Sequence, residues 1–273
     1  MRALFVAIGL VVGVCAILAA QVAAQTPLVV SPSGVPNGIY GRYSDIDQID
    51  QDTSPTDRFV FARLLYNGQI PGYIKNWFTD WPEGDEHLIT GLDRLSNLRL
   101  EEDARVVPVN DPALFEYPFV YTSEPGQMVL SNTDALIMRE YLRRGGFWFL
   151  DDFWGSFEWA HFLTEIEKVL PGAEIRDIPM DHPLFHTFYD ITEIVQVPSL
   201  NYVYNGGIVI EQDGVKAYCK GIWDDKGRLM VVINHNTDLG DAYEHADDPR
   251  YPHEFSGFAY RIATNIIIYA LTH

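Results

Sequence analysis

Residues 141–153 read Tyr141-Leu142-Arg143-Arg144-Gly145-Gly146-Phe147-Trp148-Phe149-Leu150-Asp151-Asp152-Phe153. Arg143 and Arg144 suit the last turn of a helix, where exposed carbonyl groups favour positive charge. The glycine pair that follows can take the left-handed conformation that ends a helix. The apolar run before the two aspartates is typical of a strand covered on both faces. Asp151 and Asp152 then stand where that strand ends.

Helix and strand patterns alternate on both sides of this stretch. Strands are predicted at Phe59–Tyr66, Arg105–Val109, Phe115–Tyr121, Glu174–Ile178 and Arg228–Asn234, and helices at Asp85–Leu98 and from about Ser131, Ser156 and Ser256. This alternation predicts the α/β class, with a mostly parallel central sheet and helices on both faces. The runs Gly207–Ile210 and Val215–Ile222 flank Gln212-Asp213-Gly214, which predicts an antiparallel hairpin extension at one edge of the sheet.

The N-terminus has the layout of a secretory signal peptide. Met1-Arg2 precedes an apolar run from Ala3 to Ala20, and Val22-Ala23-Ala24 supplies the small residues of a cleavage site. An uncleaved membrane anchor is the alternative, since the apolar run is near the lower length limit for a span. We expect a signal peptide at 1–24, a proline-rich acidic arm or linker at 25–57 and one α/β domain at 58–273. The predicted location is therefore periplasmic or extracellular.

Charge and cysteine content exclude several classes of protein. The chain carries 38 acidic and 19 basic residues, a formal net charge of −19, which repels nucleic acid and anionic lipid. Cys219 is the only cysteine outside the signal peptide, so an intramolecular disulfide is excluded. No phosphate-binding glycine motif occurs, and no cofactor or metal ligand is assigned. The expected partner is a small molecule or a protein, with no stable membrane insertion after signal cleavage.

Six segments in order resemble the bacterial domain-of-unknown-function family 4159. They are Phe61-Ala62-Arg63-Leu64 with Tyr66, Trp81-Pro82, Tyr117-Pro118-Phe119-Val120-Tyr121, Leu142–Phe147 leading into Asp151-Asp152, Asp181-His182-Pro183-Leu184-Phe185, and Asn265–Thr272. The resemblance covers nearly all of the region from Phe59 to His273. It implies a flavodoxin-like sheet similar to the class I glutamine amidotransferase-like fold. It implies no activity, and a fold alone is only an associational argument for one.

Asp151 and Asp152 are the first candidates for a functional site. A carboxylate at a strand end in this fold class can act as a general base or hold a cation. Adjacent strand residues point to opposite faces, so at most one of the two would face a given pocket if the strand continued. The structural alternative is a carboxylate that caps the helix starting near Ser156.

The histidines are the candidate partners of these aspartates in acid/base chemistry. His182 and His235 are assigned as catalytic candidates with Asp151 and Asp152. His182 and His186 are four residues apart, a spacing that zinc sites use on a helix. A turn with hydrogen-bonded histidines is favoured over a metal site.

Other polar and aromatic residues are predicted to line the same cleft. Amidotransferase-like enzymes need a cysteine on a tight elbow after a strand. The corresponding segment here, Thr122-Ser123-Glu124-Pro125-Gly126, has no cysteine, and Ser123 is a weak nucleophile candidate. Trp77 and Trp81 could stack against a sugar. The residues assigned to ligand binding are Tyr66, Trp81, Tyr121, Ser123, Asn234, Asn236 and Asp238.

Two functions follow from these residues. The first is a non-catalytic or ligand-binding exported module with a cleft at the carboxyl ends of the strands. The second is a hydrolase of a small polar or carbohydrate substrate, with Asp and His as acid/base groups and a metal as an optional aid. Convergence of Asp152, His182 and His235 on one pocket would favour the hydrolase.

Overall fold

A computed structural model describes residues 58–66, 68–71 and 76–273, without the side chain of Gln69. The predicted signal peptide, the arm and Tyr73 lie outside these residues. The strands are β1 (Ala62–Leu65), β2 (Gly68–Gln69), β3 (Arg105–Pro108), β4 (Phe119–Ser123), β5 (Met128–Val129), β6 (Phe147–Asp151), β7 (Arg176–Asp177), β8 (Tyr218–Trp223) and β9 (Leu229–His235). The helices are α1 (Glu83–Leu95), α2 (Asn132–Arg143), α3 (Gly155–Val169), α4 (Asn201–Tyr204), α5 (Leu239–Glu244) and α6 (His253–Thr272). No helix within the described ranges is long and apolar enough to cross a membrane.

A seven-stranded mixed sheet forms the centre of the domain, in the order β3-β1-β4-β6-β9-β8-β7. The first five strands in this order, β3, β1, β4, β6 and β9, pair in parallel. β8 runs antiparallel to β9, and β7 runs antiparallel to β8. The predicted α/β class and the antiparallel strands at one edge are confirmed. Because β4, β6 and β9 are adjacent and parallel, their carboxyl ends meet at one edge of the sheet.

One face of the sheet is covered by α1, α5 and α6. Alternate strand residues, among them Phe61, Phe119, Phe149 and Val232, belong to one buried cluster with apolar residues of these helices. Since side chains alternate across a strand, Trp148 and Leu150 face the opposite side. There α2 and α3 pack against each other.

The local signals explain where several elements begin and end. Ser131 accepts a hydrogen bond from the Asp134 N–H, and the Asp134 carboxylate accepts one from Ser131 N–H, the capping box that starts α2. Gly145, with φ +109°, follows that helix as predicted. Pro108 lies in β3, an edge strand, where its missing N–H removes no ladder bond.

The predicted strand at Gly207–Ile210 is wrong. Residues 207–210 form no strand, and the antiparallel extension consists of β7, β8 and β9. The edge of β8 away from β9 is already paired with β7, so 207–210 cannot pair with β8 as the predicted hairpin requires. The helix expected from about Ser156 begins at Gly155, with Trp154 at the N-cap and no side-chain cap.

A buried ion pair joins the sheet to α1. Arg63 on β1 is 1% exposed and donates from Nε and Nη2 to the two carboxylate oxygens of Asp85, at 2.9 and 2.6 Å. Its Nη1 donates to the carbonyls of Trp77 and Thr79, at 2.8 and 3.0 Å. One side chain therefore fixes α1 and the loop that precedes it.

We expect Arg63→Met to lower the free energy of unfolding by about 3–5 kcal/mol, because Asp85 is left as a buried carboxylate without its partner. The double variant Arg63→Met/Asp85→Leu should recover part of this loss, since it leaves no buried charge. Urea unfolding measures both. The control is Arg144→Met, which breaks an exposed pair with Glu140 and should cost less than about 1 kcal/mol. Equal losses in Arg63→Met and Arg144→Met would contradict the expectation.

Candidate functional site

Three adjacent strands end in the same way. The residue directly after each of β4, β6 and β9 has a left-handed backbone without being glycine: Glu124 (φ 55°), Asp152 (φ 62°) and Asn236 (φ 61°). Asp80, before α1, has φ 63°. Such conformations are uncommon outside glycine and cluster at functional sites. The carboxyl edge of the sheet is therefore lined by polar residues in turns of one type.

Asp151 holds the start of α5. Its Oδ2 accepts a hydrogen bond from the Leu239 N–H at 3.0 Å, and the Tyr121 hydroxyl lies 3.5 Å away. The side-chain amide of Asn234 and the Gly240 N–H also stabilise its charge. Burial nevertheless raises the pKa of Asp151 well above its usual value, and the charge of Asp152 adds to that rise. Asp151 is thus a structural carboxylate that fixes the loop after β9.

Asp152 differs from its neighbour because it makes none of these contacts. It is 0% exposed, and neither of its carboxylate oxygens has a hydrogen-bond partner within the described part of the chain. A buried carboxylate without a partner is costly. This side chain therefore has no structural role that the surrounding contacts explain.

Asp80 reaches the same place from the loop before α1. Its backbone carbonyl accepts from the Gly84 N–H, and its side chain packs on Gly240 at the start of α5. A Cβ added at Gly240 would lie 1.9 Å from Asp80 Oδ2, so only glycine permits this approach. Burial raises the pKa of Asp80 well above its usual value, and the charges of Asp241 and Asp152 raise it further.

Asp238 completes the group. It is 1% exposed and caps α5, its Oδ1 accepting from the Asp241 N–H at 2.8 Å. One carboxylate oxygen from each of Asp80, Asp152 and Asp238 lies within 4.8 Å of the others. We call these three residues the aspartate triad. It joins the ends of β6 and β9 to the loop before α1.

A second buried acidic network lies beside the triad. Gln127 Nε2 donates to Glu124 Oε2 at 3.1 Å and to Glu158 Oε1 at 3.3 Å. Glu158 also accepts from the Trp154 N–H at 2.6 Å and from Gln212 Nε2 at 2.7 Å. These bonds tie β4 to the first turn of α3, so this network stabilises the wall of the site.

Most residues assigned to ligand binding from the sequence lie at this edge of the sheet, where several of their side chains hold neighbouring backbone in place. The Tyr66 hydroxyl donates to the carbonyls of Ser123 and Glu124, each at 3.2 Å. Ser123 is 0% exposed. The Asn236 side chain accepts from the Gly155 N–H and donates to the Lys216 carbonyl, both at 2.8 Å.

Trp81 lies in the Asp80 loop, where its ring is 5.9 Å from that of Trp77. Trp77 is buried, whereas Trp81 is partly exposed. The sheet edge therefore brings together Asp151, Asp152, Tyr121, Asn234 and Asp238, with Trp81 beside them.

The two catalytic histidine candidates, His182 and His235, make their contacts with other parts of the domain. His235 faces the α3 side, with its ring against Phe153, Trp159 and Tyr218 and its Nε2 3.2 Å from the Gly155 carbonyl. Burial lowers the pKa of His235 to about 4.

His182 packs on Tyr269, which contacts Phe147 at the first residue of β6. Asp151 is the last residue of that strand, about 13 Å away. His182 accepts from the Leu184 N–H, and His186 contacts Asp190 and the Met180 carbonyl, so both are hydrogen-bonded turn residues. No hydrogen bond or ring contact joins Asp152, His182 and His235 to one another within the described part of the chain.

Sequence reasoning missed Asp80. It lies in the loop that carries Trp77 and Trp81, and the signal that marks it is a lone carboxylate directly before Trp81-Pro82. It also missed Arg63 and Asp85, which hold that loop in place. A buried strand with one arginine in an otherwise apolar run, Phe61-Ala62-Arg63-Leu64-Leu65, is a usable signal for a buried ion pair.

The fold and the site define an α/β domain with an acidic group at the carboxyl edge of a mostly parallel sheet. Residues 60–271 match the model of the family described as Domain of unknown function (DUF4159), and the chain belongs to this family. The match includes every member of the aspartate triad. No curated protein matches the sequence.

The buried imidazole of His235 makes stability depend on pH. Its pKa of about 4 in the folded chain lies below the value near 6.5 of an exposed histidine, so the unfolded chain binds more protons between these values. This contribution to stability is present above pH 6.5 and is lost as the pH falls toward 4. Between pH 7.5 and 5, the wild type should lose about 2 kcal/mol of unfolding free energy more than His235→Phe.

Urea unfolding at a series of pH values measures this difference. The aromatic replacement keeps the ring contacts with Phe153 and Trp159, so the difference between the two curves isolates the titration. Parallel curves for wild type and variant between pH 4.5 and 6.5 would contradict the assignment.

Proposed function

We propose that this domain is a binding module whose ligand is held through a positively charged group by the aspartate triad. The observation that carries the proposal is Asp152, which is wholly buried and has no hydrogen-bond partner for either oxygen in the part of the chain described. Buried carboxylates are normally paired with a cation or with N–H donors. A cationic group in contact with Asp152 supplies the missing partner.

The surrounding charges support a cationic ligand over an anionic one. The charges of Asp241, Asp152 and Glu244 raise the pKa of Asp80, and the charge of Arg63 lowers it. Arg63 is held by Asp85 and by two backbone carbonyls. The net charge of −19 also attracts cations over a longer range.

The hydrolase alternative lacks support from the geometry. An Asp/His acid/base pair needs its two side chains within hydrogen-bond reach of one substrate. His182 lies at the opposite end of β6 from Asp151, and His235 contacts the α3 side. Ser123 is fully buried, and its hydroxyl has no hydrogen-bond partner within the described ranges. Binding without acid/base catalysis is therefore the function that we propose.

The amidotransferase-like architecture remains part of the proposal. In that fold a nucleophile occupies a tight turn after a central strand. Here the left-handed residue after β4 is Glu124, which supports a similar backbone turn. A glutamate at this position does not provide a nucleophile of the cysteine type. Glu124 in this turn therefore supports a binding role for a domain whose architecture resembles that of an enzyme.

We also propose that the domain is exported, on the basis of the signal-peptide pattern of residues 1–24. Expression of the full chain in a bacterium with an outer membrane should yield a periplasmic protein that begins at Gln25. N-terminal sequencing and the intact mass measure this. An intact Met1 in the membrane fraction would show a retained anchor instead.

Cation binding is tested by thermal unfolding of the purified full chain after treatment with EDTA. The probes are CaCl₂, MgCl₂, spermidine and choline chloride, each at the same ionic strength as a KCl reference. At least one probe should raise the midpoint of the wild type above that reference and leave Asp152→Asn unchanged. Without any probe, Asp152→Asn should be more stable than the wild type by about 1 kcal/mol or more, because an unpartnered buried charge is removed.

Asp225→Asn is the matched control, since it removes the same charge from an exposed turn between β8 and β9. It should respond to the probes as the wild type does. The proposal fails if none of the four cations shifts the wild type. It also fails if Asp152→Asn destabilises the chain and responds to the same probe unchanged, because Asp152 would then be structural.

A further inference from the structure

The three members of the aspartate triad present ligand atoms of one chemical kind. Asp80, Asp152 and Asp238 each offer a carboxylate oxygen, and no histidine nitrogen or thiol belongs to this group. Ca²⁺ and Mg²⁺ prefer oxygen ligands, whereas zinc sites usually include nitrogen or sulfur. The donor set thus selects a hard divalent cation over zinc.

The spacing of the oxygens fits one ion. Two ligands of the same ion lie at most twice the metal–oxygen distance apart, which is about 4.6–5.2 Å for Ca²⁺ and about 4.0–4.2 Å for Mg²⁺. The triad oxygens lie within 4.8 Å of one another. Oxygens no more than 4.8 Å apart can share one Ca²⁺ ion, and three carboxylates suit Ca²⁺ because Mg²⁺ usually binds through one or two carboxylates and keeps several waters.

Burial separates this group from an ordinary acidic surface. Asp152 and Asp238 are 0% and 1% exposed, and the oxygens of Asp152 have no other partner in the described ranges. Asp238 is oriented by its hydrogen bond from the Asp241 N–H, and Asp80 by its packing on Gly240. The ligands are therefore held in position before an ion arrives. Asp80 is only partly buried as a residue, but its Oδ2 is buried and has no hydrogen-bond partner in the described ranges.

We infer that the aspartate triad is a Ca²⁺ site, with Asp80, Asp152 and Asp238 as its protein ligands. The inference rests on the proposed function, because the ion is the positively charged group that the binding module holds. Ca²⁺ takes six to eight oxygens, so the ion keeps open positions beyond the three carboxylates. Those positions can be filled by oxygens of a second molecule or of water.

The test is equilibrium dialysis of the EDTA-treated full chain against CaCl₂, with metal analysis of both chambers. The wild type should bind one Ca²⁺ per chain at this site. Asp80→Asn, Asp152→Asn and Asp238→Asn should each weaken binding by at least about tenfold, because each removes one ligand charge. Asparagine keeps the shape of the side chain and the capping of α5, and circular dichroism verifies the fold of each variant.

Glu244→Gln is the matched control. Asp241, Glu244 and His245 form a second group whose ligand atoms are close together, but these residues are partly exposed and His245 is paired with both carboxylates. Glu244→Gln should bind Ca²⁺ as the wild type does. Loss of Ca²⁺ in Glu244→Gln with full binding in Asp152→Asn would overturn the inference, since the ion would then lie in the second group.

The outcomes also separate this inference from the proposed function. If spermidine or choline stabilises the wild type but not Asp152→Asn, and Ca²⁺ does not bind, the Ca²⁺ site is wrong and the binding module stands. If no cation of either kind binds, both are wrong. Should Asp238→Asn fail to fold, Asp80→Asn in the partly buried loop gives the same test.

Discussion

The acidic edge of the sheet depends on the buried ion pair between Arg63 and Asp85. The guanidinium of Arg63 fixes α1 through Asp85 and the preceding loop through the carbonyls of Trp77 and Thr79. That loop contains Asp80, directly after Thr79, so the position of one triad member is set by hydrogen bonds that a residue of β1 donates. The same bonds commit Arg63 to Asp85, and the buried pair therefore builds the acidic site without neutralising it.

Two adjacent carboxylates show how such a site is kept stable. Asp151 receives an N–H donor from Leu239 and the approach of the Tyr121 hydroxyl, so its burial is partly offset. Asp152 receives neither, although it is equally buried. The difference arises because Asp151 is the last strand residue and accepts from the Leu239 N–H, whereas Asp152 lies in the turn and faces the carboxylates of Asp80 and Asp238. Under the proposed function, Asp151 serves stability and Asp152 serves binding, although the two are neighbours in the sequence.

The sequence predicted much of the fold and only part of the site. The α/β class followed from alternating patterns that are local, and Asp152 and Asp238 were found because each follows a strand. Asp80 was not found, because its loop acquires its path from Arg63 on a distant strand, which no local pattern encodes. The predicted strand at 207–210 failed for a related reason: pairing depends on which edge is free, and β7 already occupies the edge of β8.

The turns at the strand ends give a physical argument for a bound ligand at Asp152. Glycine would adopt these left-handed backbones without steric cost, yet the chain places Glu124, Asp152 and Asn236 there. The side chain of Asn236 binds the Gly155 N–H, and that of Glu124 binds Gln127, so local hydrogen bonds offset the strain in both turns. Asp152 has the same backbone and no such bond. A cation at the aspartate triad would supply the polar contact that Glu124 and Asn236 obtain from the protein. With the cation bound, the side chains of all three turns would have a polar partner.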